Sequence, residues 1–176
     1  AKDRGRNRVE VFSTTDPSLV QRHDELRIYR ELVDAFEQGR FRLYAQPVVP
    51  LWDPTRATHY EIFVRLLDLQ NKPVSPERFL QAATRYQLLG QLDRWVVAEA
   101  LRQLEPVADT LAPTGTCFSI NVSEPSLVGD ELLAFLGQQL DATGVPPPLL
   151  VIEIAVSAAI AQLVHAERFV AETSRL

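Results

Sequence analysis

Between Pro17 and Gln38 the apolar residues Leu26, Tyr29, Leu32, Val33 and Phe36 recur at steps of three and four, the spacing of an amphipathic helix. Asp16 can cap its start, Pro17 fits its first turn and Gly39 is placed to stop it. The period then changes. Phe41–Val49 and Thr58–Leu67 are short, rich in β-branched and aromatic residues, and separated by the turn-forming Trp52-Asp-Pro-Thr55, which predicts two strands. Pro47 holds the first of them to a sheet edge or a strand end. Ser75-Pro76 opens a helical stretch that runs to Leu104 with a break near Gly90. Thr116–Val122 reads as a third strand, Gly129 to about Thr143 as a helix closed by Gly144, and Leu149–Val156 as a fourth strand. Ala158–Leu176 reads as a last helix, and Arg8–Phe12, ahead of everything else, as a short strand.

Strands and helices thus alternate, and the later strands are near-continuous apolar runs. Parallel strands covered by helices produce that pattern, so the fold class is α/β with mostly parallel strands. A chain of 176 residues can build one ordinary core, but a closed eight-fold β/α barrel typically takes about 250. The expectation is an incomplete barrel of four strands with helices outside. Its fourth strand would keep a free edge, so a second copy, another protein chain or further barrel strands should cover it.

Composition narrows the chemistry. With 46% hydrophobic and 23% charged residues the chain is globular, not disordered. The lone Cys117 has no Cys or His at metal-ligand spacing, which removes disulfides and zinc. No apolar run approaches the roughly 20 residues of a membrane span, and the first eight residues lack the apolar segment of a secretory signal, so a cytoplasmic location is expected with no membrane contact from this segment, while a longer parent protein could be anchored through another. Residues 103–176 carry two arginines against nine carboxylates, which argues against nucleic acid as a partner.

Three strands each place one polar side chain among apolar ones: Glu61, Asn121 and Glu153. Glu153 stands out, because an unpaired carboxylate buried in Leu149–Val156 would cost several kcal/mol. Strand periodicity puts Glu61, Phe63 and Arg65 on one face. Two carboxylates and an amide oxygen suit a hard cation such as Mg²⁺ or Mn²⁺, and Arg65 suits a phosphate. The same residues also read as a structural set, Arg65 paired with Glu61 or Glu153 and Asn121 hydrogen-bonded. His23, His59 and His165 are scattered and suggest surface or packing roles; Ser119, Ser123 and Ser157 lack a nucleophile elbow, and no Gly-rich phosphate loop is present.

The series Arg42-Leu-Tyr-Ala-Gln46-Pro-Val-Val49, Tyr60-Glu61-Ile-Phe-Val-Arg65, Ser75-Pro-Glu-Arg-Phe79, Leu92-Asp-Arg-Trp95, Phe118-Ser-Ile-Asn121-Val-Ser123 and Leu150-Val-Ile-Glu153-Ile resembles, in order and spacing, the first half of an EAL domain. EAL domains are bacterial cyclic di-GMP phosphodiesterases or receptors. Ala1–Val9 resembles the end of a GGDEF diguanylate cyclase domain. The resemblance implies a GGDEF–EAL signalling protein, divided as 1–16 GGDEF tail, 17–38 joining helix and 39–176 N-terminal half of an EAL-like domain.

Carried over residue by residue, the resemblance makes Glu61, Asn121 and Glu153 metal ligands. It places Arg65 at a ligand phosphate and Gln46 at the nucleotide, with cyclic di-GMP as partner and Mg²⁺ or Mn²⁺ as cofactor. In the family two such cations activate water to open cyclic di-GMP to linear pGpG. The signature here is Glu61-Ile62-Phe63 where the family has Glu-Ala-Leu, and Ala155-Val156 follow Glu153-Ile154 where active members carry Thr and a second Glu. Thr84-Arg-Tyr-Gln87 replaces the family's acidic stretch, and the family's Asp-Asp strand and general-base lysine are expected beyond Leu176. The resemblance therefore implies a degenerate member that binds more readily than it hydrolyses, with no turnover by this chain alone. The alternative is an inactive α/β module that passes a signal through protein contacts.

Overall fold

The computed structural model of the chain describes residues 17–53 and 58–176, with side chains from Arg27 onward. The expected strand Arg8–Phe12 and the whole 1–16 segment lie outside the described residues, as does part of the turn after Trp52. Helix α1 spans Pro17–Glu37, strand β1 Phe41–Val48 and strand β2 His59–Leu66. Helices α2 (Pro76–Arg85) and α3 (Leu89–Leu104) lead through short turns and α4 (Ala108–Leu111) to β3 (Cys117–Val122). Then come α5 (Glu124–Leu127), α6 (Glu131–Thr143), β4 (Leu150–Ile154), α7 (Val156–Ala161) and α8 (Leu163–Thr173).

The four described strands form one open sheet in the order β1-β2-β3-β4. β1 runs antiparallel to β2, Gln46 facing Glu61 and Arg42 facing Arg65, while β2, β3 and β4 are parallel. This is the α/β, mostly parallel sheet of a partial barrel. Pro47 sits on edge strand β1, where its missing N–H costs no ladder bond to a further strand. On the other side, the outer edge of β4 pairs with no described strand.

One face of the sheet packs on helices. Ile62, Ile120 and Val122 meet Val97, Leu101 and Leu104 of α3, Leu132 and Leu136 of α6 and Phe169 of α8 in the larger apolar cluster. A second cluster joins Ile28, Leu32 and Ala35 of α1 to Phe79 and Ala82 of α2, with Phe41 and Leu66 from the sheet. Trp95 touches both, its ring 5.3 Å from that of Phe41. Helix α1 is therefore part of the packed body and not only a joint.

Several boundaries differ from the sequence reading. The helical stretch after Ser75 breaks at 86–88, not near Gly90: Gln87 takes φ 57° and Leu88 N–H closes on Ala83 O at 2.8 Å. Gly90 instead lies in the first turn of α3. The helix expected from Gly129 starts at Glu131 and is preceded by α5. β4 ends at Ile154, and the last helix is two, parted at Gln162.

Candidate functional site

The other face of the sheet is polar, and side-chain alternation decides what it carries. Ile62 and Leu66 point into the helices, so His59, Glu61, Phe63 and Arg65 take the opposite face of β2. The registers Gln46↔Glu61, Glu61↔Ser119 and Asn121↔Glu153 add Gln46 from β1, Ser119 and Asn121 from β3 and Glu153 from β4. All five residues singled out from the sequence, Gln46, Glu61, Arg65, Asn121 and Glu153, therefore share one face.

Within that face they form separate groups. Asn121 Nδ2 donates to Glu61 Oε1 at 2.8 Å. Glu153 leans the other way, its Oε1 3.9 Å from His59 Nε2, and that nitrogen lies 3.0 Å from Ser119 Oγ. Arg65 donates to Val64 O at 2.9 Å and lies 5.3 Å from the centre of the Phe63 ring, a cation–π arrangement. Its expected structural partners, Glu61 and Glu153, are engaged elsewhere. Glu153 is also not buried, its side chain being 37% exposed, so the cost that singled it out in the sequence is not incurred.

Two carboxylates and an amide oxygen are suitable donors for a hard divalent cation. As they stand, no three His, Cys, Asp or Glu side chains among the described residues converge on a metal position. The donor chemistry fits Mg²⁺ or Mn²⁺, provided the Asn121 amide turns over to present its oxygen and Glu153 swings off His59.

Beside Arg65 a cavity of about 620 Å³ opens between the upper ends of β2 and β3 and helices α2 and α3. Leu80, Leu89, Leu92 and Val96 make it mostly apolar, and Asn121 and Asp93 supply polar edges. Asp93, 7% exposed, accepts from Ser123 Oγ at 2.5 Å, Ser126 Oγ at 2.6 Å and Ser123 N–H at 3.0 Å. Burial pushes its carboxyl above the ordinary range, and the Ser123 and Ser126 hydrogen bonds only partly oppose that.

Two of these residues escaped the sequence reading. Asp93 looks like an ordinary polar residue of an amphipathic helix until α3 is docked. His59 reads from the sequence as a surface or packing histidine; it stands two residues before Glu61, and that parity puts both on one face.

The profile of the EAL domain family matches residues 29–176. The chain belongs to the EAL domain family. Among solved EAL structures, that of FimX from Xanthomonas citri in complex with c-diGMP superimposes with a TM-score of 0.76 at 28% identity, covering 89% of this chain and 59% of that one. FimX from Pseudomonas aeruginosa, bound to c-di-GMP, gives 0.73 at 31%, covering 84% and 58%. Among curated relatives, the cyclic di-GMP phosphodiesterase PdeB of Shewanella oneidensis is 24% identical over 160 residues, 91% of this chain and 18% of PdeB. The biofilm architecture maintenance protein MbaA of Vibrio cholerae is 29% identical over 154 residues, 88% of this chain and 19% of MbaA. The chain thus spans about a fifth of the length of these curated relatives and under two thirds of the FimX domains. Among the described residues no helix is long and apolar enough to cross a membrane.

Proposed function

We propose that this EAL chain contributes the N-terminal part of a cyclic di-GMP-binding site in a GGDEF–EAL signalling protein, and that the site is degenerate. The observation that carries the reading is the single polar face on which Glu61, Asn121, Glu153, Gln46 and Arg65 stand together, with the cavity opening beside Arg65. Arg65 is always charged and can meet a ligand phosphate with two parallel hydrogen bonds. Gln46, opposite Glu61, offers an amide donor and acceptor to the same ligand. The cavity is apolar enough for a planar base, and Asn121 and Asp93 line its polar edge.

Glu61, Asn121 and Glu153 would hold Mg²⁺ or Mn²⁺. Such a cation, when bound, polarises a phosphoryl oxygen and lowers the pKa of its water. The chain's own side chains would position phosphate and cation on one sheet. Ala155 and Val156, where active family members carry Thr and Glu, support binding without turnover.

Calorimetric titration of residues 1–176 with cyclic di-GMP should give saturable binding that Arg65→Ala weakens about tenfold, the scale of one charged hydrogen-bonding group. Chromatography of the same mixture with Mg²⁺ or Mn²⁺ should show no pGpG. Unaltered binding by the variant would refute the phosphate role, and pGpG formation would refute degeneracy.

A second reading, an interaction module, is favoured by one observation. Val156, Ile160, Leu163 and Val164 on α7 and α8 are all more than half exposed, an apolar surface suited to a second copy or another protein chain.

A further inference from the structure

The ladder between β2 and β3 is shorter than either strand. It pairs His59–Ile62 with Cys117–Ile120, yet β2 runs to Leu66 and β3 to Val122. Past Ile62 and Ile120 the two strands part, and the cavity beside Arg65 opens between their ends, with Phe63 and Arg65 on one wall and Asn121 and Ser123 on the other. Each wall thus brings one polar group to the proposed ligand, Arg65 from β2 and Asn121 from β3. The span between those groups is set by whatever fixes the two strand ends.

The β2 end is fixed by β1, which stays paired with it as far as Phe41↔Leu66. The β3 end is paired with β4 on its outer side, as far as Val122↔Ile154. On the split side α3 takes over. Ser123 is the first residue after β3 and stands at the N-cap of α5, yet its hydroxyl caps nothing there. Its N–H and its Oγ both donate to Asp93 Oδ2, at 3.0 and 2.5 Å, and Ser126 Oγ adds a third bond at 2.6 Å. Asp93 is almost wholly buried, and an ionised acceptor there holds its donors about twice as strongly as a neutral one. Fixing the Ser123 amide also fixes the peptide plane that it shares with Val122. Since Val122 is itself held by Ile154, little freedom is left one residue back, at Asn121.

We propose that Asp93 is a positioning residue of the cyclic di-GMP site: by clamping Ser123 from α3 it sets where Asn121 stands across the cavity from Arg65, and it acts through Asn121. The inference rests on the cyclic di-GMP site proposed above. A tie that served stability alone would lower the unfolding midpoint and leave the affinity of the folded protein untouched.

Three variants test it in the full chain. Asp93→Ala removes the clamp, Ser123→Ala is a milder lesion that leaves the N–H in place, and Asp93→Asn keeps an oxygen for that N–H. Cyclic di-GMP affinity is measured by calorimetry at a temperature where the unfolding curve shows each variant fully folded. Asp93→Ala should weaken binding about tenfold and Ser123→Ala about threefold, and Asp93→Asn should recover most of the loss. Introduced into Asn121→Ala, Asp93→Ala should bring no further loss, as for two residues that act as a unit. Without ligand, the Asn121 side-chain amide signals in a nitrogen NMR spectrum, identified by their absence from Asn121→Ala, should move in Asp93→Ala and return towards wild type in Asp93→Asn. If wild type binds while Asp93→Ala and Ser123→Ala bind as well as it does, the inference is overturned and the proposed site stands. Asn121 signals unmoved by Asp93→Ala, or a tenfold loss that persists in Asn121→Ala, also overturn it, the latter because Asp93 would then act by another route. If wild type does not bind cyclic di-GMP, the function proposed above fails and this inference falls with it.

Discussion

Asp93 shows what one side chain can hold. Its Oδ2 gathers three donors, from Ser123 and Ser126, and so ties α3 to the turn in which β3 ends and α5 begins. Asp93→Ala would leave those donors without their acceptor, and a loss of about 2–3 kcal/mol is expected in urea unfolding. The pH dependence has a definite sign. Burial raises the folded carboxyl above its unfolded value, so between the two the folded state holds more protons and stability falls as pH rises. The stability of wild type minus that of Asp93→Asn should therefore decline from about pH 4 upward and level off once Asp93 is ionised in both states; a difference that rises instead would contradict the burial argument. The common face of Glu61 and Arg65 was legible because a strand alternates strictly. The link from Glu153 to His59 was not, since it joins residues on strands that only the tertiary fold brings together.

Chain reversals between elements show the same divide. Helices α1 and α2 both end with a residue in the left-handed region whose successor donates five residues back, Arg40 N–H to Ala35 O at 3.0 Å and Leu88 N–H to Ala83 O at 2.8 Å. The first uses Gly39 and could be read from the sequence. The second uses Gln87, a residue that carries no such signal, and Gly90 three positions on drew the expected break to the wrong place. α6 ends on Gly144 at φ 64°, whose N–H reaches Leu140 O at 2.9 Å. An added Cβ would meet nothing there, so only the backbone conformation opposes a side chain. Gly144→Ala should cost about 1 kcal/mol in thermal or chemical unfolding. The split of the last helix into α7 and α8 was not legible, because Ala158–Leu176 contains neither Gly nor Pro and the break at Gln162 has no local sequence cause.

Across the whole molecule, the helix-covered side of the sheet is closed and the other sides are not. The outer edge of β4 has no described partner, and Val156, Ile160 and Val164, on the two helices that follow it, are each more than 70% exposed. Apolar surface of this kind favours association. Light scattering of residues 1–176 at micromolar concentration should find species larger than a monomer, and Ile160→Glu with Val164→Glu should shift them towards the monomer. A strictly monomeric wild type would show that the surface is tolerated in water. The α/β class and the polar face were legible from strand order and parity, whereas the packing of α1 against α2 depended on which helices the sheet brings together. The reversal of β1 bears on the order of assembly. Gln46 and Glu61 face each other across a hairpin, fifteen positions apart, and can meet within microseconds of that hairpin closing. Asn121 reaches Glu61 only across sixty positions, and Glu153 arrives last along the chain. A nascent chain would thus form the Gln46–Glu61 part of its polar face well before Asn121 and Glu153 join it. A cation held between Glu61 and Glu153 would close a loop of about ninety residues, making it a late clasp whose removal loosens the C-terminal strand before the N-terminal hairpin.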